Sequence, residues 1–259
     1  MDASTQVLTI RVNPTTLSGA VEALSLLVQQ RRSAAVHLCN AWNAVLARRE
    51  ARYADTINAG VLNLTDGMSL VWASRLLGAP AGSERVPGAQ LLLGACEAGL
   101  ERGVRHYFYG GGPGVAEELA GRLTARFPGL QVAGVESPPF RTPSDAELAA
   151  LAERVAAARA DLVWVGLGTP KQDYFIARFQ PLVQVGALLA VGAAFDFLSG
   201  RKPMAPAWMQ RAGMEWAHRL ASEPRRLWRR YLVGNPTFAF LLAQQLIIER
   251  RPPRRRVPA

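Results

Sequence analysis

The chain has 259 residues, 49% of them hydrophobic, and a formal net charge of +10. Its length and apolar content exclude a disordered or fibrous chain and suit one large domain, alone or with an appendage. Residues 1–200 hold 17 Arg or Lys against 17 Asp or Glu, whereas residues 201–259 hold 13 against 3.

The charge excess therefore has one address. A neutral stretch followed by a basic one predicts a body over 1–200 and a basic appendage over 201–259. Such asymmetry points to a polyanionic partner, either nucleic acid or an anionic membrane surface. Cys39 and Cys96 stand far apart without a framework of spacings, as expected in a reducing compartment. Residues 1–6 are polar and carry no export-signal pattern.

Between Val7 and Leu198 short β-rich runs alternate with amphipathic stretches. This predicts an α/β fold, a doubly wound, mostly parallel Rossmann-like sheet. In chain order the expected elements are strands at 34–39 and 61–64, helices at 67–77 and 89–102, a strand at 106–109 and a helix at 115–126. A strand at 131–134, a helix at 145–159 and strands at 162–167 and 184–191 follow. Ser144, three residues before Glu147, signs the start of the 145–159 helix as a capping box. Ligands of such sheets bind beyond the carboxyl ends of the strands.

Three loops fall at those ends. In the first, a strand delivers Asp66, followed by Gly67 and a helix; the carboxylate reads either as a helix N-cap or as a general base held at a cleft. The second, Gly110-Gly111-Gly112-Pro113-Gly114, joins strand to helix and reads either as a phosphate-binding turn or as a tight structural one. It matches neither the dinucleotide fingerprint nor a Walker loop. The third, Gly168-Thr169-Pro170-Lys171-Gln172, sets Pro170 in a first helical turn and offers Lys171 and Gln172 to whatever lies above the sheet.

The appendage opens a helix near Ser222 and Pro224. At about 100° per residue, Arg225, Arg226, Arg229 and Arg230 share one arc, and Leu227, Trp228, Tyr231 and Leu232 the opposite one. That pattern suits a helix lying in a membrane interface, a helix packed on the body with arginines gripping a diphosphate, or a solvated cationic face. The apolar stretch 231–248 contains Asn235, Pro236, Gln244 and Gln245, and fits a surface-lying or packed helix better than a membrane span. Arg250, Arg251, Arg254, Arg255 and Arg256 form a polybasic end suited to an anionic leaflet.

Taken together, these segments resemble the WecG/TagA/CpsF glycosyltransferases, glycosyltransferase family 26. The resemblance rests on ordered blocks: the Asn40 region with Ala47-Arg48, Asp66-Gly67, Arg75-Leu76-Leu77-Gly78, Arg85-Val86-Pro87-Gly88, Gly110 to Gly114, and Gly168 to Gln172. It continues through Phe195-Asp196 and Arg201 to Arg211 into Glu223-Pro224-Arg225-Arg226-Leu227, the most specific block, and on to Pro236.

The resemblance implies an inverting transfer of a sugar from a UDP-sugar to a polyprenyl-diphosphate-linked saccharide in surface polysaccharide assembly. It implies a peripheral enzyme at the cytoplasmic face of the bacterial inner membrane. On that reading Asp66 is the general base, Asn40 is a further catalytic residue, Gln172 is a contact near the reacting sugar, and Asp196 is a nucleotide contact near the base. Leu38 stands where the family usually has Thr, which puts a hydroxyl contact there in question. Donors in the family include N-acetylmannosamine, its uronic acid and glucose.

No Asp-x-Asp occurs, and His37, His106 and His218 have no ligand spacing, so neither metal nor cofactor is expected. Arg85, the Gly110, Gly111, Gly112 and Gly114 turn, Arg225, Arg229 and Arg230 are then the candidates for neutralising the diphosphates, with Thr169 and Lys171 as further substrate-binding residues. The partners expected are the donor, the lipid-linked acceptor and an anionic membrane, with self-association open. Two rivals weigh less. A nucleic-acid binder would use Trp208, Trp216, Trp228 and Tyr231 among the arginines, but the body is neutral and no nucleic-acid motif appears. A nucleotide-dependent oxidoreductase lacks its early glycine fingerprint.

Overall fold

A computed structural model describes residues 4–249. The polybasic end, Arg250 to Arg256, lies outside the described residues.

The chain begins with an antiparallel hairpin, β1 (Thr5–Val7) and β2 (Ile10–Val12), then α1 (Leu17–Gln30), β3 (Ala34–Cys39), α2 (Ala41–Arg49) and α3 (Ala51–Asn58). Next come β4 (Leu62–Thr65), α4 (Met68–Leu76), α5 (Gly88–Gly99), β5 (Arg105–Gly110), α6 (Val115–Arg126) and β6 (Gln131–Glu136). The body closes with α7 (Asp145–Ala157), β7 (Leu162–Gly166), α8 (Lys171–Phe179), β8 (Ala187–Ala190) and α9 (Ala194–Leu198). The basic segment folds as α10 (Ala207–Arg211), α11 (Glu215–Ser222) and α12 (Pro224–Trp228); α12 runs through a π-turn (Arg229–Val233) into α13 (Gly234–Glu249).

Six parallel strands form the main sheet in the order β4-β3-β8-β7-β5-β6. Its central strands are continuous apolar runs, Leu-Val-Trp-Val in β7 and Ala-Leu-Leu-Ala in β8, because helices bury both faces. On one face α1, α5, α6 and α9 pack on Val36, Phe108, Trp164 and Leu189; on the other α7 and α8 pack on Tyr107, Val163 and Leu188. The expected α/β sheet is therefore present. The last strand is shorter than expected, because residues 184–186 instead bond the turn before β3: Arg31 Nη2 donates to Gln184 O, Ser33 N to Val185 O and Ala34 N to Gly186 O. The capping box of α7 is present, with Ser144 N donating to Glu147 Oε2 at 2.8 Å.

A third core joins the N-terminal hairpin, α2, α3 and α4 to the appendage through Phe238 of α13. Gln245 strengthens that seat by accepting from Leu8 N at 2.8 Å and donating to Gln6 O at 3.1 Å. By length and composition alone the 25-residue helix Pro224–Ile248 could cross a membrane. Its inner side nevertheless packs on the body at Leu227, Tyr231 and Phe238, while Leu232, Phe240, Ile247 and Ile248 are exposed.

A buried polar network registers these elements. Asp173, at the start of α8, receives His37 Nδ1 from β3 and the Tyr53 hydroxyl from α3, each at 2.8 Å. Tyr53 in turn accepts from Asn43 Nδ2 of α2 at 2.8 Å. Tyr53→Phe strips a partner from two buried groups at once and is expected to lower stability by about 1–3 kcal/mol in urea unfolding. An unchanged midpoint would show that the network does not hold α3 to α8.

Candidate active site

The crevice lies over the carboxyl ends of β4, β3, β8 and β7, where such sheets bind ligands. Asp66 follows β4, Asn40 follows β3, Val191 and Gly192 follow β8, and Gly168 to Gln172 follow β7. Arg219 and Glu215 of α11, Arg226 of α12 and Arg230 of the π-turn form its other wall. The crevice has two chambers. The first, about 880 Å³, is lined by Leu38, Gly88, Thr169, Gln172 and Val191, among others. The second, about 1130 Å³, is largely aromatic and sulfur-bearing, with Trp42, Met68, Trp72, Met214, Trp216 and Tyr231. Asn40, Asp66, Arg85, Glu215, Arg219 and Arg230 line both chambers and form their common wall.

Local bonds explain why these side chains stand there. Asp66 N donates to Cys39 O at 2.8 Å, carrying the β3–β4 pairing one step beyond the strand. The N-cap of α4 is Gly67, with no side-chain cap bond, so Asp66 does not serve as the cap its position allowed. A Cβ on Gly67 would stand 3.0 Å from Asn40 Cβ, and glycine lets the two loops close up. Asn40 caps α2, its Oδ1 accepting from Trp42 N at 3.0 Å, which leaves its amide nitrogen as the side-chain donor for the crevice. Gln172 is buried, and its Oε1 accepts from Gly168 N at 3.0 Å.

Arg85 sits on a braced loop. Arg75 Nη2 donates to Ser83 O at 2.5 Å, and Val86 N donates to Thr65 O at 2.8 Å. Its guanidinium gives Nε to the Asp66 main-chain oxygen at 2.6 Å and Nη2 to Glu215 Oε2 at 2.5 Å. The same Nη2 is 3.9 Å from Asp66 Oδ1, so the Asp66 carboxylate lacks a tight ion pair with it. Burial pushes the Asp66 carboxyl upward from its ordinary range; Arg85 opposes that shift, Glu215 adds to it, and Arg219 and Arg230 oppose it. Burial also lowers the Arg230 guanidinium from its usual value.

The crevice therefore gathers Asn40, Asp66, Arg85, Thr169, Gln172 and Arg230 from the residues singled out in the sequence. Others stand elsewhere. Gly110, Gly111, Gly112 and Gly114 line neither chamber; Gly110, Gly111 and Gly114 have positive φ, and a Cβ on Gly110 would meet the Gly166 backbone at 2.6 Å. The tight structural turn accounts for Gly110, Gly111 and Gly114. Lys171 is exposed at the start of α8, outside both chambers. Pro170 is the residue before that helix, preceded by a cis peptide bond, not a residue of its first turn. Asp196 accepts from Lys202 Nζ at 2.8 Å.

The four arginines expected on one arc are divided. Arg226 and Arg230 face the crevice, Arg229 stacks over Trp228 at 5.2 Å in a side recess, and Arg225 lines neither chamber. The helical step itself makes the division: Arg226 and Arg230 are four residues apart, as are Arg225 and Arg229, and only the first pair lies on the side that also carries the buried Leu227 and Tyr231. The opposite arc is divided too: Leu227 and Tyr231 are buried, but Trp228 and Leu232 are 44% and 57% exposed. Glu215, Arg219 and the Trp72–Trp216 chamber were not singled out in the sequence. One signal was available: Glu215 and Glu223 are two of only three acids in residues 201–259, and each pairs with a cation lining the crevice. Among the described residues, no three His, Cys, Asp or Glu side chains converge to hold a metal, and both cysteines are free and buried.

Residues 5–252 match the family described as Glycosyl transferase WecG/TagA/CpsF family. The chain belongs to this family. One relative of the WecG/TagA/CpsF protein is the N-acetylglucosaminyldiphosphoundecaprenol N-acetyl-beta-D-mannosaminyltransferase of Bacillus spizizenii (strain ATCC 23059 / NRRL B-14472 / W23). It is 30% identical over 205 residues, covering 79% of this chain and 77% of the relative. A protein of the same description from Bacillus subtilis (strain 168) is 27% identical over 218 residues, covering 84% and 82%. As a WecG/TagA/CpsF member the chain is a glycosyltransferase. In the crevice Leu38 is 5% exposed, its side chain close against Gly88.

Proposed function

We propose that this glycosyltransferase moves a sugar, with inversion, from a UDP-sugar to a polyprenyl-diphosphate-linked saccharide during surface polysaccharide synthesis. The observation that carries the reading is Asp66 in the wall between two chambers, with Arg85, Arg219 and Arg230 around it. Inversion by single displacement requires the acceptor hydroxyl to attack the face opposite the leaving group. A base between two chambers serves that geometry, with the donor in the first and the acceptor sugar in the second. Asp66 then takes the hydroxyl proton as the new glycosidic bond forms and the anomeric carbon–phosphate bond breaks. Asn40 and Gln172 orient the transferring sugar, and Arg85, Arg219, Arg226 and Arg230 offset charge on the departing UDP.

The names of the two relatives support the polyprenyl-diphosphate acceptor and, among donors, N-acetylmannosamine. The exposed Leu232, Phe240, Ile247 and Ile248 of a helix seated on the body support a peripheral enzyme, its 201–259 appendage docked on the cytoplasmic leaflet of the inner membrane. The arginines around Asp66 can offset the charge of the leaving diphosphate, and metal-independent transfer is part of the proposal on that ground.

The test is a panel of UDP-sugars incubated with a polyprenyl-diphosphate N-acetylglucosamine analogue and with longer lipid-linked oligosaccharides, each with and without excess chelator. UDP-N-acetylmannosamine is expected to react with the short acceptor at a rate indifferent to chelator. No product from any UDP-sugar would refute the donor class, and chelator-sensitive turnover would refute metal independence.

A further inference from the structure

We propose that Glu215 is a positioning residue that occupies Arg85 and so keeps the Asp66 carboxylate free of a tight ion pair. The inference rests on the reading of Asp66 as general base. Arg85 has one end of its fork committed to the Asp66 main-chain oxygen, at 2.6 Å, and Nη2 committed to Glu215, at 2.5 Å. Nη2 is already within 3.9 Å of Asp66 Oδ1. A small rotation would bring the two together, and the Arg85 side chain is only 14% exposed, so water does little to satisfy it. With Glu215 gone, Asp66 is the carboxylate within reach of a half-buried cation, and guanidinium–carboxylate pairing is among the strongest polar contacts available.

The surrounding charges make the choice decisive. Facing Asp66 are Arg85 from the loop before α5, Arg219 and Glu215 from α11, Arg230 from the π-turn and the buried Cys39 thiol of β3. Glu215 is the one anion in that set. Three cations without it would hold Asp66 as a contented carboxylate, a poor proton acceptor. A general base works best when its affinity for a proton is kept up, and a like charge nearby does that. Glu215 also belongs to the appendage and not to the body. The base is thus released from Arg85 only when α11 is seated, which makes the arming of the base depend on the appendage.

Full-length Glu215→Gln is to be compared with the parent and with Glu215→Asp, using saturating UDP-sugar and lipid acceptor across a pH series. Transfer requires ionised Asp66, so activity falls on the acid side. Removing Glu215 strengthens the pull of Arg85, and the acid limb of kcat is expected to move to lower pH by on the order of one unit. Plateau kcat is expected to fall about tenfold, with donor KM little changed. Glu215→Asp, which keeps the charge, is expected to restore the parental limb. Should Glu215→Gln be too slow for a profile, the Asp66 carboxyl is titrated directly by ¹³C NMR, its signal identified by loss in Asp66→Asn, with the same downward shift expected.

An unmoved limb or titration would overturn the proposal. So would a gain in kcat, which would mean that Glu215 blocks Arg85. Asp66→Asn separates the two levels: normal turnover in that variant refutes the base itself, whereas an inactive variant beside an unmoved Glu215→Gln profile refutes only the role of Glu215.

Discussion

Asp66→Asn is expected to lower transfer at least a hundredfold while leaving affinity for UDP little changed, measured by product formation and by calorimetric titration of UDP. The substitution keeps size and hydrogen-bonding shape but removes the proton acceptor. The fold gives no reason to expect collapse. Asp66 does not cap α4, its side chain is 27% exposed at the crevice, and the loop is held by main-chain bonds from Asp66 N and Val86 N. Loss of UDP binding together with activity would assign Asp66 to the donor phosphates instead. Retained turnover would move the base elsewhere in the common wall.

The second large effect concerns the appendage. Removing residues 201–259 is expected to abolish vesicle binding and to reduce transfer ~100-fold or more, since it strips Arg219, Arg226 and Arg230 from the crevice together. It also removes Phe238 from a core shared with α2, α3 and α4, so truncation alone confounds anchoring with assembly of the site. The double substitution Phe240→Glu and Ile247→Glu separates them. Both side chains are exposed, at 63% and 59%, and neither lines a chamber. Sedimentation with anionic vesicles is expected to fail, while transfer to a water-soluble short-chain acceptor persists. Normal sedimentation of that variant would refute docking through this helix face.

What could be read before folding was what is local or periodic. Alternating apolar runs gave the parallel sheet, because strands buried on both faces leave little room for polar residues. Asp66 was legible as a candidate because it ends a strand and precedes a glycine, but choosing between cap and base required seeing that Gly67 takes the cap position. The glycine turn misleads for a related reason. Gly110 answers to Gly166, 56 positions away, and no local pattern reports that contact. Glu215 and Arg219 were hidden because only tertiary folding brings α11 over the end of β4. The division of the tail arginines was hidden because a helical wheel gives their relative angles but not which side of the helix meets the body. In each case what escaped was a long-range contact, not a misread residue preference.

The continuous helix from Pro224 to Ile248 joins the crevice at Arg230 to an exposed apolar side at Ile247. At roughly 1.5 Å per residue those points are about 25 Å apart along one rod. With Leu232, Phe240, Ile247 and Ile248 exposed along it, a rod lying on lipid by that side acts as a gauge, fixing the height above the bilayer at which transfer occurs. Acceptors would then be sorted by stature as well as by chemistry, since a sugar must stand at that height to meet Asp66. Lengthening or shortening the saccharide beneath it would put the reacting hydroxyl out of register, with every pocket contact still intact.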